Sequence, residues 1–257
     1  MQRNGLQQQQ TLHGNIAGIA GLTRSGLVAA LLVGGAAIAQ GLSWLVLLLL
    51  YFAAATTVSR FGRETKAVKA GTVLEKSGSR DALQVLANGG AFAAGTIMYA
   101  LVDDPAWLAF AAGALAASSS DTWATELGLL SSSTPRSIVT GKPVQPGSSG
   151  GVTLAGTGGG VLGALLVAGA VALLAPEVPV SAPLIGGLAG MLVDSLVGAT
   201  VQERRWCALC ARGTERLVHG CGAATEFAGG IRGVRNDFVN AIATTTGGAV
   251  SLLLVLV

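Results

Sequence analysis

Two aspartates lie deep inside apolar segments of this 257-residue chain, where a carboxylate is costly unless it is used. Asp121 follows a run of serines in the stretch "SSSDTWATELG". Asp194 belongs to a line of residues at every fourth position, Gly186, Gly190, Asp194 and Gly198. On a helix, Asp194 would lie roughly 12 Å from the polar end near Gln202, at a depth that costs several kcal/mol unless the charge is compensated. Both acids occur late in their segments, where the helix dipole disfavours an anion, so helix capping does not explain them.

Other oxygen-bearing side chains stand at the ends of neighbouring apolar segments. Glu126 follows in the first of those two segments, Asn88 lies near the start of another, and Asn236 and Asp237 open the last one. Asp237 also has a simpler explanation, because the helix dipole favours an anion at a helix start. Carboxylate and amide oxygens with no histidine among them are ligands that suit Mg²⁺. The sequence therefore predicts a magnesium site built on the two deep aspartates.

A polar segment rich in glycine and serine, "TGKPVQPGSSGGV", separates two apolar segments. Glycine lets backbone N–H groups converge on phosphate oxygens, hydroxyl groups add donors, and a lysine adds a point charge. The residues concerned are Lys142, Gly147, Ser148, Ser149, Gly150 and Gly151. The GxxxxGK[ST] spacing of a Walker A motif is absent, and a flexible linker is the simpler alternative. Beside the acidic clusters, the segment is interpreted as a loop that binds phosphate together with Mg²⁺.

All three cysteines and one of the two histidines fall within fifteen residues, "CALCARGTERLVHGC". Cys207 and Cys210 form a CxxC pair, and His219 and Cys221 complete a set of four soft ligands. Such a set is typical of a structural, tetrahedral Zn²⁺ site. A disulfide is disfavoured in a reducing cytoplasm and would leave one thiol over, so three incidental cysteines are the remaining alternative. We expect zinc to pin a cytoplasmic loop at about 202–236.

The elements that carry these residues are predicted to be membrane helices. Apolar residues make up 51% of the chain and charged residues only 11%, against about 25% charged residues in a soluble domain. This composition predicts an all-α polytopic membrane helix bundle of about seven transmembrane helices. The predicted spans are Gly26–Gln40, Leu42–Val58, Leu83–Val102, Ala106–Leu130, Val152–Ala175, Pro183–Val201 and Phe238–Val257. Residues 1–23 are predicted to be a flexible N-terminal segment, and residues 24–257 a single integral-membrane domain.

The charges predict the orientation of this bundle. With the N-terminus placed in the cytoplasm, all sixteen Lys and Arg residues fall on the cytoplasmic side. The opposite gaps contain Asp103, Asp104 and Glu177 and no basic residue. The C-terminus is therefore expected outside, and the polar clusters on the cytoplasmic side of the cell membrane. The basic residues serve either as this topology signal alone or also as a surface that gathers anionic lipids or nucleotides.

Five motifs in order carry a resemblance to a known family. They are "GSRDALQVLANGG", "ASSSDTWATELG", "TGKPVQPGSSGGVTLAGTGGG", "DSLVGATVQ" and "CALC…HGC…GIRGVRNDFVNAIAT". Together they resemble the integral-membrane family that includes the plant phytyl-phosphate kinase, over nearly the whole chain from about Arg24 to Val257. One departure is that "GIRGVRND" lacks the aromatic residue often found before the Asn-Asp pair.

The resemblance implies an Mg²⁺-dependent kinase that transfers a phosphoryl group from CTP or ATP to a membrane-held isoprenyl (phytyl-like) monophosphate, giving the prenyl diphosphate. The residues implied for metal and phosphate handling are Asp121, Glu126, Asp194, Asn236 and Asp237. Lys142 and the glycines of the Gly/Ser-rich segment would hold the nucleotide. Arg80 and Arg136 add positive charge beside Asn88 at the cytoplasmic mouth of the bundle. Phosphoryl transfer depends mostly on positioning and charge neutralisation, which agrees with this set of residues.

Two other functions stay open at this point. A prenol or phytol kinase would act on the free alcohol, and it would profit from a placed base that a phosphate monoester does not need. An ion-coupled transporter also places carboxylates within glycine-rich helices, but it is less favoured because the polar residues gather on one side of the membrane. The expected partners are the isoprenyl lipid, the nucleotide and membrane lipids, with no nucleic acid. The sequence leaves the oligomeric state open.

Overall fold

The computed structural model describes residues 21–75 and 78–257, so most of the predicted flexible segment 1–23 lies outside the described residues. The helices found there are α1 (Arg24–Ala39), α2 (Leu42–Arg60), α3 (Arg63–Ala70), α4 (Ala82–Val102), α5 (Ala106–Leu130), α6 (Leu154–Leu174), α7 (Ser181–Thr200) and α8 (Asn236–Leu256). The strands are β1 (Arg136–Ser137), β2 (Gly151–Val152), β3 (Arg204–Cys207), β4 (Arg212–Thr214) and β5 (Glu226–Gly229).

Each predicted span coincides with one of these helices, so the predicted helical membrane bundle is confirmed. Within the described ranges, five helices are long and apolar enough to cross a membrane: α2, α4, α6, α7 and α8. Helix α1 is shorter, with 16 residues, and α5 is long but is not among the five. The number of spans and the sides of the two termini therefore stay predictions. The short helix α3 was not predicted, because its charged sequence "RETKAVKA" carries no apolar run.

Helix α5 forms the centre of the bundle. It packs against α4, α6, α7 and α8, and every residue from Leu108 to Ser120 is buried. A helix that is covered by other helices does not need an apolar outer surface, which explains its alanine- and serine-rich sequence. Small residues let the neighbours approach closely. A Cβ atom added at Gly190 of α7 would lie 2.4 Å from the Cβ of Ala117 on α5, and one added at Gly186 would lie 2.3 Å from the carbonyl oxygen of Gly247 on α8. The predicted glycine line therefore packs against both of these helices.

The loops at the polar end fold into short strands and contact one another. Strands β1 and β2 pair antiparallel, and β4, β3 and β5 form a three-stranded antiparallel sheet. These strands are additions to the all-helical prediction, since segments of two to four residues carry no periodicity that a sequence reading detects. The backbone N–H of Thr23 donates to the carbonyl of Arg80, and Thr214 Oγ1 donates to the carbonyl of Thr72. Loops that the charge pattern placed on one side thus meet at one end of the bundle.

Candidate functional site

The two deep aspartates meet at the polar end of the bundle. Asp121 lies in the second half of α5 and Asp194 in the second half of α7, and their carboxyl groups are within hydrogen-bonding reach of each other. Oδ1 of Asp194 is buried, and it has no hydrogen-bond partner among the residues that the structure describes. Two adjacent carboxyl groups with an uncompensated buried oxygen fit a divalent cation or a shared proton. The structure brings together the two residues on which the magnesium prediction rests, and the metal itself stays a prediction.

A chain of hydrogen bonds borders this pair on the side of α2 and α4. The Tyr51 hydroxyl lies 2.7 Å from Ser118 Oγ, which donates to Asn88 Oδ1 at 2.8 Å. Ser118 is one turn of α5 before Asp121, so the chain lies about one helical turn from the aspartate pair. Arg80 Nη1 lies 3.4 Å from Thr56 Oγ1. The predicted residues Asn88 and Arg80 therefore contribute to this side of the site.

Glu126 has a different environment from the aspartate pair. Its Oε2 accepts from Lys66 Nζ at 2.6 Å, and the Lys66 side chain is only 7% exposed. Lys66 Nζ also donates to the carbonyls of Val58 and Ser59, each at 2.9 Å, where α2 ends. One lysine thus neutralises Glu126 and satisfies two carbonyl groups at a helix C-terminus. This ion pair favours a structural role for Glu126 over the metal role that the resemblance implies.

The Gly/Ser-rich segment folds into a compact hydrogen-bonded loop. The N–H of Ile138 donates to the carbonyl of Gly150, and the N–H of Ser148 donates to the carbonyl of Gln145. Gly150 has a φ of +72°, and a Cβ atom there would lie 2.4 Å from the Cβ of Ala199 on α7. A side chain at position 150 is therefore excluded by both backbone conformation and contact. The loop lies directly against the helix that carries Asp194.

The predicted phosphate-binding groups of this loop divide into two sets. Gly147, Ser148, Ser149, Gly150 and Gly151 are half-buried at the contact with the bundle. Lys142 and Arg136 are exposed on the hairpin that leads to it, and Arg136 Nη1 donates to the carbonyl of Gly141 at 2.9 Å. The structure therefore brings the backbone and hydroxyl groups of the loop to the bundle, and it leaves the two cations at its surface.

A half-buried glutamate that the sequence analysis missed contacts the loop. Oε1 of Glu215 accepts from the Ser149 N–H at 3.1 Å and from the Ser149 hydroxyl at 2.5 Å. Burial raises the pKa of Glu215 to about 7, the two hydrogen bonds from Ser149 act in the opposite direction, and the charge of Glu75 raises it further. Such donors to one carboxylate are the kind that bind phosphate oxygens. In this structure Glu215 thus uses the Ser149 donors of the loop.

The start of α8 provides the remaining predicted residues. Glu75 accepts from Arg235 Nη1 at 3.1 Å and from the backbone N–H of Asn236 at 3.4 Å, so a carboxylate stands at the helix N-terminus. Asp237 lies in the first turn of α8 and is half-buried. Helix α8 packs against α5 and α7, which places its first turn at the same end of the bundle as the aspartate pair.

The Cys/His cluster forms a small knuckle beside these loops. Cys207, Cys210, His219 and Cys221 bring one ligand atom each to within 4.8 Å of one another. The Sγ atoms of Cys207 and Cys221 are 3.7 Å apart, and His219 Nδ1 is 3.2 Å from Cys221 Sγ. The three thiols are free, so the structure groups the four residues as the spacing predicted and forms no disulfide.

Residues 15–248 match the family model described as integral membrane protein DUF92. The chain belongs to the DUF92 family. It is 34% identical to the uncharacterized membrane protein MJ0933 of Methanocaldococcus jannaschii, over 83% of this chain and 77% of that protein. It is 28% identical to Protein PGR of Arabidopsis thaliana, over 85% of this chain and 84% of the relative. No solved structure matches the chain.

The family model covers the aspartate pair, the Gly/Ser-rich loop and the Cys/His knuckle of this DUF92 chain. Sequence reasoning found these clusters by the cost of burying acids and by ligand spacing. It missed Tyr51, Lys66 and Glu215, whose partners lie 67, 60 and 66 residues away in the chain. In the sequence, Lys66 is distinguished only by its spacing of three residues from Arg63 and from Lys69. That spacing also fits an ordinary solvated helix.

Proposed function

We propose that this DUF92 protein is an Mg²⁺-dependent kinase of membrane-held prenyl monophosphates. It transfers a phosphoryl group from CTP or ATP and forms the prenyl diphosphate at the cytoplasmic side of the cell membrane. The observation that carries the proposal is the Asp121–Asp194 pair, with its unpartnered buried oxygen, at the polar end of the bundle. Two phosphate groups can react only where their mutual repulsion is neutralised, and a cation held by carboxylates supplies that neutralisation.

The donor set of this site fits Mg²⁺. Asp121 and Asp194 offer hard carboxylate oxygens, and Asp237 lies at the same end of the bundle as a further ligand candidate. These residues would hold the cation, and the bound cation would neutralise charge on the phosphates. The nucleotide phosphates would bind at the half-buried loop around Ser149 and Gly150, where they would displace Glu215 from the Ser149 N–H and hydroxyl donors.

An apolar groove supports a lipid as the acceptor. The groove has a volume of about 280 Å³ and runs between α2 and α6, where it is lined by Leu47, Leu50, Ala54, Leu166 and Ala170. Tyr51 also lines it, and the Tyr51 hydroxyl lies 2.7 Å from Oγ of Ser118, which is one turn of α5 before Asp121. A prenyl chain in this groove would keep its apolar part in lipid while its phosphate reached the polar end. Arg80 supplies a cation on the same side.

One observation favours the prenol kinase as a second candidate. Oδ1 of Asp194, which has no partner in the described part of the chain, is available as a proton acceptor, and a free alcohol must lose a proton when it is phosphorylated. A phosphate monoester is already largely dianionic at neutral pH, because its second pKa is about 6. The two candidates therefore differ in whether the aspartate pair holds a cation or accepts a proton.

The test is a substrate survey with purified protein in lipid nanodiscs. Phytyl, geranylgeranyl and farnesyl monophosphates and the matching alcohols are each offered with CTP or ATP, with and without Mg²⁺. We expect diphosphate formation that requires Mg²⁺, with at least a ~100-fold higher kcat/KM for the monophosphate than for the alcohol, or about 2.7 kcal/mol. Equal or faster phosphorylation of the alcohol would make the protein a prenol kinase. Absence of product from every pair of substrates would overturn the proposal.

A further inference from the structure

The second cluster of this chain has the geometry of a metal site. In a tetrahedral Zn²⁺ site, Zn–S bonds of about 2.3 Å and Zn–N bonds of about 2.1 Å separate two sulfurs by roughly 3.8 Å and a sulfur from a nitrogen by roughly 3.6 Å. The Sγ atoms of Cys207 and Cys221 are 3.7 Å apart, and His219 Nδ1 is 3.2 Å from Cys221 Sγ. A disulfide would require about 2.05 Å between sulfurs, so the cluster is arranged for a metal ion and not for a bridge.

The fold around the cluster is too small to hold itself together by burial. Its sheet consists of strands of three and four residues, and three of its exposed apolar side chains are Trp206, Leu209 and Leu217. Among the side chains of the cluster, only Cys207 and His219 are buried. Small domains without an adequate core are usually stabilised by a disulfide or a metal ion. A metal ion bound by the four residues would therefore stabilise this small fold.

We propose that Cys207, Cys210, His219 and Cys221 bind one Zn²⁺ in a closed structural site, and that this ion holds the Gly/Ser-rich loop in place. Four protein ligands leave no open position on a tetrahedral ion, so the metal binds no substrate. The proposal is independent of the kinase function, because its evidence lies in the knuckle and in the contacts that the knuckle makes.

The contacts of the knuckle explain how the ion would act on the loop. Directly after the pairing of β4, Glu215 N–H donates to the carbonyl of Val73 at 2.9 Å, and Arg216 Nε donates to the carbonyl of Leu74 at 2.7 Å. The Glu215 carboxylate accepts both donors of Ser149. One short segment of the knuckle thus joins the chain after α3 to the Gly/Ser-rich loop. Loss of the ion would release this segment and loosen the loop against α7.

The experiment uses full-length protein without an affinity tag. Metal content is measured by mass spectrometry, and Co²⁺ is substituted for Zn²⁺ to record thiolate-to-cobalt charge-transfer absorption. The chain has only three cysteines, so this absorption reports on the knuckle alone. We expect about one Zn²⁺ per chain and a more than tenfold lower content in Cys207→Ser and Cys221→Ser. Leu209→Ala is the matched control, because Leu209 lies between two ligands and is exposed, and it should keep the metal.

Hydrogen exchange of wild-type protein tests the second half of the proposal, even where the cysteine variants fail to fold. Chelation of the metal should accelerate amide exchange at residues 147–151 and 214–216 by at least tenfold, with no change in α5. Zinc-free protein that lacks the charge-transfer absorption after Co²⁺ addition would overturn the metal site. A bound ion whose removal leaves exchange at 147–151 unchanged would overturn its link to the loop.

Discussion

Two acidic positions on one helix differ in what surrounds them. Asp121 and Glu126 are both in the second half of α5, five residues apart. Glu126 is paired with Lys66, whose remaining hydrogen bonds satisfy the end of α2. Asp121 meets a second carboxyl group, Asp194, one oxygen of which has no partner among the described residues. The Lys66 pair gives Glu126 a role in holding the fold together, whereas the aspartate pair is where we expect a bound ligand.

The comparison predicts its largest effect in turnover. Asp121→Asn and Asp194→Asn should each lower kcat by at least ~100-fold, about 2.7 kcal/mol, because they remove charge from the cation site without changing side-chain volume. The double variant Lys66→Met/Glu126→Gln should stay within about tenfold of wild type. Asp103→Asn is the matched control, since Asp103 is exposed at the opposite end of α4. Comparable losses at the paired and unpaired positions would remove the distinction between them.

The second effect concerns stability, where the Lys66–Glu126 pair should matter more than the aspartate pair. Lys66→Met leaves Glu126 partly buried without a neutralising charge, and breaking one partner of such a pair costs about 3 kcal/mol. The double variant Lys66→Met/Glu126→Gln should recover most of that loss. Asp194→Asn should be neutral or stabilising, because it removes one of two adjacent acids. Thermal unfolding in detergent measures all of these. A strong destabilisation by Asp194→Asn would mean that the aspartate pair serves the fold.

A third effect concerns the pH dependence of stability that Glu215 causes. The pKa of Glu215 is raised from 4.5 to about 7 in the folded protein, so the folded state keeps a proton that the unfolded state loses. Stability should therefore fall as pH rises from about 4.5 to 7, by on the order of 3 kcal/mol. Glu215→Gln cannot titrate, and its difference from wild type across this window isolates the contribution of this residue. Parallel stability curves would show that Glu215 titrates normally.

Hydropathy and charge were sufficient to predict the helices and the polar end of the bundle. The deep aspartates were also predictable, because the cost of burying a charge at that depth is a property of the sequence position alone. The pairing of Lys66 with Glu126 was not predictable, because it depends on how α3 folds back beneath α5. The exposure of Lys142 was also not predictable, because the β1–β2 hairpin that carries it is fixed by contacts of the loop with α7. The local sequence shows which charged side chains need a neutralising partner. Only the tertiary structure shows which of them have one.

The central claim is that the uncompensated aspartate pair binds a divalent cation and the neutralised Glu126 does not. Binding of Mn²⁺ as a spectroscopic substitute for Mg²⁺, measured by electron paramagnetic resonance on zinc-replete protein, tests it most directly. We predict one Mn²⁺ site in the wild type that is lost in Asp194→Asn and retained in Lys66→Met/Glu126→Gln. Wild-type affinity in Asp194→Asn, or loss of binding in the double variant alone, would contradict the claim.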